Sequence, residues 1–123
     1  MKRLLVVDDE QPIRSMLNDL LGDDYEVMLA ANGQEAFALL NSHSFDLIIT
    51  DLVMPEMNGI DLITSIQKIS PDLKIIAISG GGGLNGRFDY LPVAELLGAE
   101  KIFRKPFELS KLKKTVDAML GQH

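Results

Sequence analysis

Short, nearly continuous apolar runs constrain the fold of this chain more than any other feature. Four of them end in polar or charged residues: LLVV before Asp8-Asp9, LIIT before Asp51, IIAI before Ser79 and KIFR before Lys105. Such runs are typical of parallel strands that are covered on both faces, whereas half-exposed strands alternate apolar and polar residues. Consecutive parallel strands need crossover connections of a dozen or more residues, which are usually helices. The sequence therefore predicts a parallel sheet between two layers of helices.

Amphipathic spacing between the runs supplies the helices. Apolar residues at intervals of three and four predict a helix that includes Ile13 to Leu21, and Pro12 suits its first turn. The other predicted elements follow in alternation: strand Tyr25 to Ala30, helix Gln34 to Leu40, strand Phe45 to Thr50, a helix that includes Leu62 to Ile69, strand Leu73 to Ser79, helix Asp89 to Gly98, strand Lys101 to Arg104, and a helix that includes Leu109 to Met119. Five strand-helix repeats with right-handed crossovers predict an α/β fold: a doubly wound (βα)5 three-layer sandwich, flavodoxin-like, with parallel sheet order 2-1-3-4-5.

The composition fits one domain over residues 1–123. A chain of 123 residues can bury roughly two-thirds of its unfolded surface around one core. The absence of cysteine excludes a disulfide framework, a thiolate zinc site and a cysteine nucleophile, and two histidines disfavour an all-protein transition-metal site. The tail after the last predicted helix is too short to link to an output domain, so we expect none within this chain.

Charge and hydropathy disfavour two kinds of partner. The 18 acidic and 12 basic residues give a formal net charge of −6, which opposes direct nucleic-acid binding, because that affinity depends on Lys and Arg neutralising phosphates. The apolar run between Arg3 and Asp8 is too short for a signal-peptide core or a membrane span. We therefore expect a cytoplasmic protein with no direct nucleic-acid or membrane contact.

The polar strand endings form the candidate site, because ligands of open α/β sheets bind outside the carboxyl ends of the strands. In the predicted sheet order Asp51 is central, with Asp8 and Asp9 on one side. Ser79 lies on the other side, and Lys105 comes from the fifth strand. Two carboxylates about 4 Å apart repel by about 4 kcal/mol at an effective dielectric near 20. Lys105 and a hard divalent cation, most suitably Mg²⁺, would supply the counter-charge.

Phosphoryl transfer is the chemistry that this set of residues predicts. An aspartate can act as a nucleophile and form an acyl phosphate, and Asp51 is the candidate. The metal and Lys105 would neutralise charge on the transferring phosphoryl group, which is the main catalytic requirement of such reactions. Ser79 would donate a hydrogen bond to a phosphoryl oxygen.

Four parts of the chain resemble the receiver domain of response regulators in bacterial two-component signalling, of the chemotaxis-regulator type. They are VVDDE at 6–10, DLVMPEMNG at 51–59, Ser79 at a strand end, and GAEKIFRKPF at 98–107. Each part alone is moderately specific. Their order and spacing over the full length make the set specific.

The resemblance implies a phosphoacceptor and a metal site. Asp51 corresponds to the residue that accepts a phosphoryl group from a histidine of a sensor kinase, from a phosphotransfer protein or from a small phosphodonor. Asp9 corresponds to a direct Mg²⁺ ligand and Asp8 to one that acts through water. The main-chain carbonyl of Val53 corresponds to a further ligand, and Asp51 completes the metal set.

The resemblance also implies how the signal is sensed and passed on. Ser79 corresponds to the switch hydroxyl, Lys105 to the lysine that pairs with the phosphate, and the Lys105-Pro106 bond would be cis. Phosphorylation would then switch binding to an unknown output protein or domain. The surface formed by the fourth predicted helix, the fifth strand and the last helix is a candidate for docking a kinase, an output protein or a second receiver in a dimer.

Two features depart from the family pattern. The position three residues before the lysine usually holds Tyr or Phe, and here it is Ile102. Phe103 cannot replace it, because neighbouring residues of a strand point to opposite faces. The segment from Gly80 to Gly86 is too rich in glycine for a stable helix, so we expect an extended loop. Main-chain movement of Ser79 and this loop is the alternative route for the signal.

The sequence leaves two alternative functions to consider. An aspartyl-nucleophile phosphatase also forms an acyl phosphate, but its DxDx[TV] pattern needs an acid two residues after the nucleophile, where Val53 stands. A pseudo-receiver would keep the fold and bind partners without phosphate. The intact acidic site favours a phosphorelay receiver, which is expected to catalyse only its own phosphorylation and dephosphorylation and so is not an enzyme in the usual sense.

Overall fold

The computed structural model describes residues 1–52, 59–79, 94–95 and 97–121. Its strands are β1 (Arg3–Val7), β2 (Glu26–Ala30), β3 (Leu47–Asp51), β4 (Lys74–Ser79) and β5 (Lys101–Arg104). Its helices are α1 (Gln11–Leu21), α2 (Gly33–Ser42), α3 (Gly59–Ile69) and α4 (Leu109–Met119). Apart from the fourth predicted helix, between β4 and β5, strands and helices alternate as predicted, with boundaries close to those that the sequence indicates.

All five strands run parallel in one sheet of order β2-β1-β3-β4-β5, which confirms the predicted topology. The register pairs Val7 with Thr50, and Asp51 with Ile78. Ser79 is in turn paired with Arg104. The carboxyl ends of β1, β3, β4 and β5 therefore lie at one edge of the sheet, where the residues that follow them can meet.

Helices cover both faces of the sheet. Alternate strand residues point to opposite sides, so each strand contributes to both cores. One face packs with α1 and α4 around the buried residues Leu4, Val6, Leu17, Leu21, Tyr25, Leu47, Ile49, Ile76, Ile78, Leu112 and Val116. The other face packs with α2 and α3 around Leu5, Val7, Ala36, Ile48, Leu52, Leu62, Ile63, Ile66, Ile75 and Ala77. Burial of each large aliphatic side chain contributes about 1.5–3 kcal/mol. The two cores hold the three-layer sandwich together and confirm the predicted fold class.

Local sequence explains where the helices begin and end. Pro12 lies in the first turn of α1, as predicted. At the start of α2, Asn32 Oδ1 accepts a hydrogen bond from the Glu35 N–H, and Glu35 Oε1 accepts one from the Ala31 N–H. These bonds satisfy N–H groups that a helix start leaves unpaired. Ile69 departs from the predicted buried stripe of α3: it is the last residue of the helix and is half-exposed.

The fourth predicted helix, Asp89 to Gly98, falls largely outside the described residues. Residues 94, 95 and 97 are helical, and Gly98 follows them with φ of 125°, which agrees with the predicted end. Only glycine adopts such a backbone conformation readily. A Cβ at Gly98 would also lie 2.1 Å from Gln67 Nε2. The segment from Gly80 to Gly86 lies outside the described residues, so the extended loop stays a prediction.

The two residues in the middle of β5 point to opposite layers. Ile102 packs against the core shared with α2 and α3, whereas Phe103 packs against the core shared with α1 and α4. The ring of Phe103 meets that of Phe107 edge-on, with centroids 6.0 Å apart. The prediction that Phe103 cannot take the place of an aromatic residue at position 102 is confirmed.

Candidate functional site

Three of the predicted site residues have buried polar side chains at the carboxyl edge of the sheet. Asp8 directly follows β1, Asp51 ends β3, and Ser79 ends β4. Asp9, next to Asp8, is exposed. A buried polar group is costly unless it is hydrogen-bonded or paired. The arrangement brings the predicted residues to one edge, where each buried polar group needs a hydrogen-bond or charged partner.

Lys105 supplies the positive charge that the sequence predicts. Its Nζ lies 2.9 Å from Asp8 Oδ2 and 3.2 Å from Asp51 Oδ2. It also lies 3.0 Å from Glu10 Oε2. An ammonium group has three N–H donors, so these contacts use its full capacity. The ammonium therefore bridges the residues that follow β1 to the end of β3.

Four carboxylates converge beside this ammonium. One oxygen from each of Asp8, Asp9, Glu10 and Asp51 lies within 4.8 Å of the others. A single lysine leaves much of their mutual repulsion uncompensated. An all-oxygen donor set open to solvent on one side fits a hard divalent cation that keeps part of its water shell, as Mg²⁺ does. The residues present therefore fit the metal that the sequence predicts.

Burial and pairing shift two pKa values in this cluster. Burial raises the pKa of Asp8, although the Glu10 N–H and Lys105 oppose that shift. For Lys105, burial lowers the pKa, but hydrogen bonds to Asp8 and Glu10 and the charge of Asp51 outweigh it, and the pKa is raised above its ordinary value. Lys105 is therefore a permanent cation at neutral pH.

Backbone contacts fix the orientation of Asp8. Its Oδ1 accepts a hydrogen bond from the Glu10 N–H at 2.8 Å, and its carbonyl oxygen accepts one from Arg14 Nη1 at 2.8 Å. Its own N–H donates to the Ala30 carbonyl at 3.1 Å. Glu10 and Arg14 were missed by the sequence reasoning. Glu10 stands directly after the acidic pair, which was the available signal; Arg14 reaches the site because of the direction in which α1 leaves β1.

The hydroxyl of Ser79 is a buried polar atom in need of a partner. Its Oγ makes no hydrogen bond within the part of the chain that the structure describes. An unsatisfied buried hydroxyl costs about 1–3 kcal/mol. The Ser79 carbonyl accepts the Lys105 N–H at 2.7 Å, which ties the end of β4 directly to the residue that contacts Asp51.

Two further expectations concern the backbone. The Lys105-Pro106 peptide bond is cis, as the resemblance implies. Val53, the expected main-chain metal ligand, lies outside the described residues, so its role stays a prediction.

Comparison of the sequence with protein-family models decides the family. Residues 4–117 match the model of the response regulator receiver domain. The chain belongs to this family. The receiver is 36% identical over 121 residues to the response regulator receiver protein CpdR of Brucella abortus, with 98% of each chain covered. It is also 36% identical over 129 residues to the DNA-binding transcriptional regulator NtrC of Azospirillum brasilense, covering 98% of this chain. It spans 24% of the length of that regulator.

A solved structure shows the same fold with a ligand. The response regulator TrrA of Thermotoga maritima, crystallised in complex with Mg²⁺ and BeF, superimposes with a TM-score of 0.82 at 34% identity. The match covers 97% of this chain and 99% of that one. The protein is thus a receiver of two-component phosphorelay signalling, a family that binds Mg²⁺ at an acidic pocket. Among the described residues, every helix is too short or too polar to cross a bilayer.

Proposed function

We propose that this receiver is a phosphorylation-dependent switch in which Asp51 accepts a phosphoryl group. The donor would be a phosphorylated histidine of a sensor kinase or phosphotransfer protein, or a small phosphodonor. An Asp51 carboxylate oxygen forms a bond to phosphorus while the bond between phosphorus and the donor breaks. The product is an acyl phosphate.

The observation that carries this proposal is the ammonium of Lys105 held between Asp8 and Asp51. At 2.9 Å and 3.2 Å from their oxygens, it lies beside the nucleophile where negative charge develops during phosphoryl transfer. A cation placed in advance at that position needs no rearrangement during the reaction. The same contact gives Asp51 a fixed orientation at the end of β3.

Other residues of the edge have separate tasks in this proposal. Asp8, Asp9 and Asp51 hold Mg²⁺, which supplies charge neutralisation for the phosphoryl oxygens when bound. Ser79 Oγ, unpaired within the described residues, donates to a phosphoryl oxygen of the product. Since Ser79 and Lys105 share a main-chain hydrogen bond, movement of one shifts the other and reaches β5.

We further propose what the switch serves. The receiver acts in the cytoplasm, catalyses only its own phosphorylation and dephosphorylation, and changes its binding to an output protein or domain. It contacts neither nucleic acid nor membrane directly. A dimer through the surface of the fourth predicted helix, β5 and α4 remains a prediction, because most of that helix lies outside the described residues.

A labelling experiment tests the phosphoacceptor. The purified protein is incubated with Mg²⁺ and acetyl phosphate, or with a phosphorylated histidine kinase, and its intact mass is measured. We expect the wild type to gain one phosphoryl group and the Asp51→Asn variant to gain none, because an amide is a poor nucleophile. Omission of Mg²⁺ should prevent labelling of the wild type.

Asp72→Asn is the matched control, since Asp72 is exposed and precedes β4 at the opposite end of the sheet. It should be labelled like the wild type. A wild type that stays unlabelled would favour the pseudo-receiver function, and equal labelling of Asp51→Asn would move the acceptor elsewhere.

A further inference from the structure

Thr50 places a hydroxyl inside the sheet, one residue before Asp51. Its side chain is buried, with 0% of the residue exposed. It is paired in register with Val7 and Ala77, which both belong to the core shared with α2 and α3. Valine has nearly the same shape and would bury no hydroxyl there, and a buried hydroxyl is costly unless it is hydrogen-bonded. The packing of this core therefore gives no reason for a hydroxyl at position 50.

The hydroxyl bonds to the main chain directly at Asp51. Thr50 Oγ1 donates a hydrogen bond to the Asp51 carbonyl oxygen at 2.9 Å. The N–H of the same peptide unit, which belongs to Leu52, donates to the Ile78 carbonyl at 3.0 Å. Because a peptide unit is planar, these two contacts hold the peptide after Asp51 from both ends. The second contact also ties it to β4, next to Ser79.

The position of this peptide bears on the Asp51 carboxylate. Rotation of the peptide about the Cα–C bond of Asp51 would break both contacts and change the direction in which the chain leaves β3. In the proposed function the carboxylate must meet a phosphorus atom and Mg²⁺ while it stays near Lys105 Nζ, which lies 3.2 Å away. Groups with such tasks must be held within about 0.5 Å of the productive geometry. A fixed peptide after Asp51 supplies part of this restraint.

We propose that Thr50 is a positioning residue whose buried hydroxyl holds the peptide after Asp51 and thereby orients the phosphoacceptor. The inference rests on the proposed function of Asp51. Neighbouring residues of a strand point to opposite faces, so Thr50 acts through the main chain and not by contact with the phosphoryl group or the metal.

Two variants separate the hydroxyl from the volume of the side chain. Thr50→Val keeps the volume and removes the hydroxyl, whereas Thr50→Ser keeps the hydroxyl and removes a buried methyl group. The probe is beryllofluoride at saturating Mg²⁺, as a mimic of the phosphoryl group. We expect Thr50→Val to bind it about threefold to tenfold more weakly than the wild type, because one hydrogen bond that orients Asp51 is lost. Thr50→Ser should stay within about twofold of the wild type, since it keeps that bond.

A merely structural role predicts a different order. The lost methyl group of Thr50→Ser leaves a small cavity in the core, so packing alone would make this variant at least as damaging as Thr50→Val. Valine also suits a strand, so Thr50→Val is expected to fold, and circular dichroism checks both variants.

Two measurements on the full chain provide the test. Beryllofluoride titrations are followed through backbone amide shifts in NMR spectra, and hydrogen exchange of the Leu52 amide is measured without any ligand. In Thr50→Val we expect this amide to exchange about threefold to tenfold faster than in the wild type, because its peptide is held less firmly. Thr115→Val is the matched control, since the Thr115 hydroxyl donates to the Lys111 carbonyl within α4. It should behave like the wild type in both measurements.

The outcomes are distinct. Wild-type affinity for beryllofluoride in Thr50→Val, or an equal loss of affinity in Thr50→Ser, overturns the positioning role while leaving the function of Asp51 intact. Unchanged exchange of the Leu52 amide in Thr50→Val overturns it as well. Failure of the wild type to bind beryllofluoride in the presence of Mg²⁺ overturns the proposed function and this inference together.

Discussion

At the scale of single residues, Tyr25 connects β2 to the last helix at the end of the sheet opposite the candidate site. Its side chain is buried just before β2, and its hydroxyl donates a hydrogen bond to Asp117 Oδ1 on α4. Lys113 Nζ lies 2.8 Å from Asp117 Oδ2 and 2.8 Å from Asp24 Oδ2, and 5.6 Å from the centre of the Tyr25 ring. Burial and the hydrogen bond to Asp117 raise the pKa of Tyr25 to about 12. These contacts hold the turn between α1 and β2 against the last helix.

Tyr25→Phe should lower the free energy of unfolding by about 1–2 kcal/mol near neutral pH, because a buried hydrogen bond to a carboxylate is lost. The pKa of Tyr25 is higher in the folded state than its ordinary value of 10.0, so the hydroxyl stabilises the fold fully below pH 10. That stabilisation is lost as the pH rises through about 12. Urea unfolding of the wild type and of Tyr25→Phe at a series of pH values measures the difference in their free energies of unfolding. A difference between them that stays constant over this alkaline range would contradict the prediction.

At the scale of elements, two kinds of signal fix the helix ends: capping by nearby side chains, and packing against an element that is distant in sequence. Asn32 and Glu35 cap α2 through their own side chains, a local pattern that the sequence alone carries. Gly98 ends the helical segment before β5 with a positive φ of 125°. It also lies against Gln67 of α3, a neighbour that is distant in sequence. The first kind of signal acts within one turn, whereas the second requires two elements to pack together.

Gly98→Ala should lower the free energy of unfolding by about 1–3 kcal/mol, because a Cβ strains this backbone conformation and meets Gln67. Gly121→Ala is the matched control: Gly121 has φ of 73°, and a Cβ there meets no atom of the described residues within 4 Å. Its cost should be smaller, about 1 kcal/mol. Chemical denaturation of both variants measures the difference. Equal destabilisation would show that the contact with Gln67 adds nothing.

At the scale of the whole molecule, the sheet topology concentrates negative charge at one edge. The chain carries a net charge of −6, and four of its carboxylates converge at the carboxyl ends of β1 and β3. Asp8, Asp9 and Glu10 are consecutive, but Asp51 is distant along the chain and joins them only in the folded state. A cation that binds between them therefore stabilises the folded state relative to the unfolded one.

Mg²⁺ should raise the free energy of unfolding, by about 1.4 kcal/mol when its concentration is ten times the dissociation constant. Removal of Mg²⁺ with a chelator should reverse the gain. Asp9→Asn should respond much less, since Asp9 is exposed and expected to be a direct ligand. Thermal melts with and without Mg²⁺, at equal ionic strength set with NaCl, provide the measurement. A full response in Asp9→Asn would remove Asp9 from the ligand set.

Asp51, Asp8, Asp9, Ser79 and Lys105 could be predicted because each stands at or directly after the end of a strand-like run. Parallel strands bring such positions to one edge whatever the details of packing. Glu10 could not be assigned a contact in this way. It lies in the turn between β1 and α1, and its contact with Lys105 depends on how that turn is folded. Arg14 reaches Asp8 for a similar reason, since the start of α1 fixes its direction.

The sequence by itself determined the alternation of strands and helices and the residues at the strand ends, because hydrophobic periodicity and strand ends are local properties of the chain. The sheet order was inferred from the strand count, since five strands fit the flavodoxin-like order. Only the tertiary structure decided which groups pair at that edge. The single ammonium of Lys105 can satisfy three acceptors at most, and the choice of Asp8, Glu10 and Asp51 follows from distances and burial between segments that are far apart in sequence.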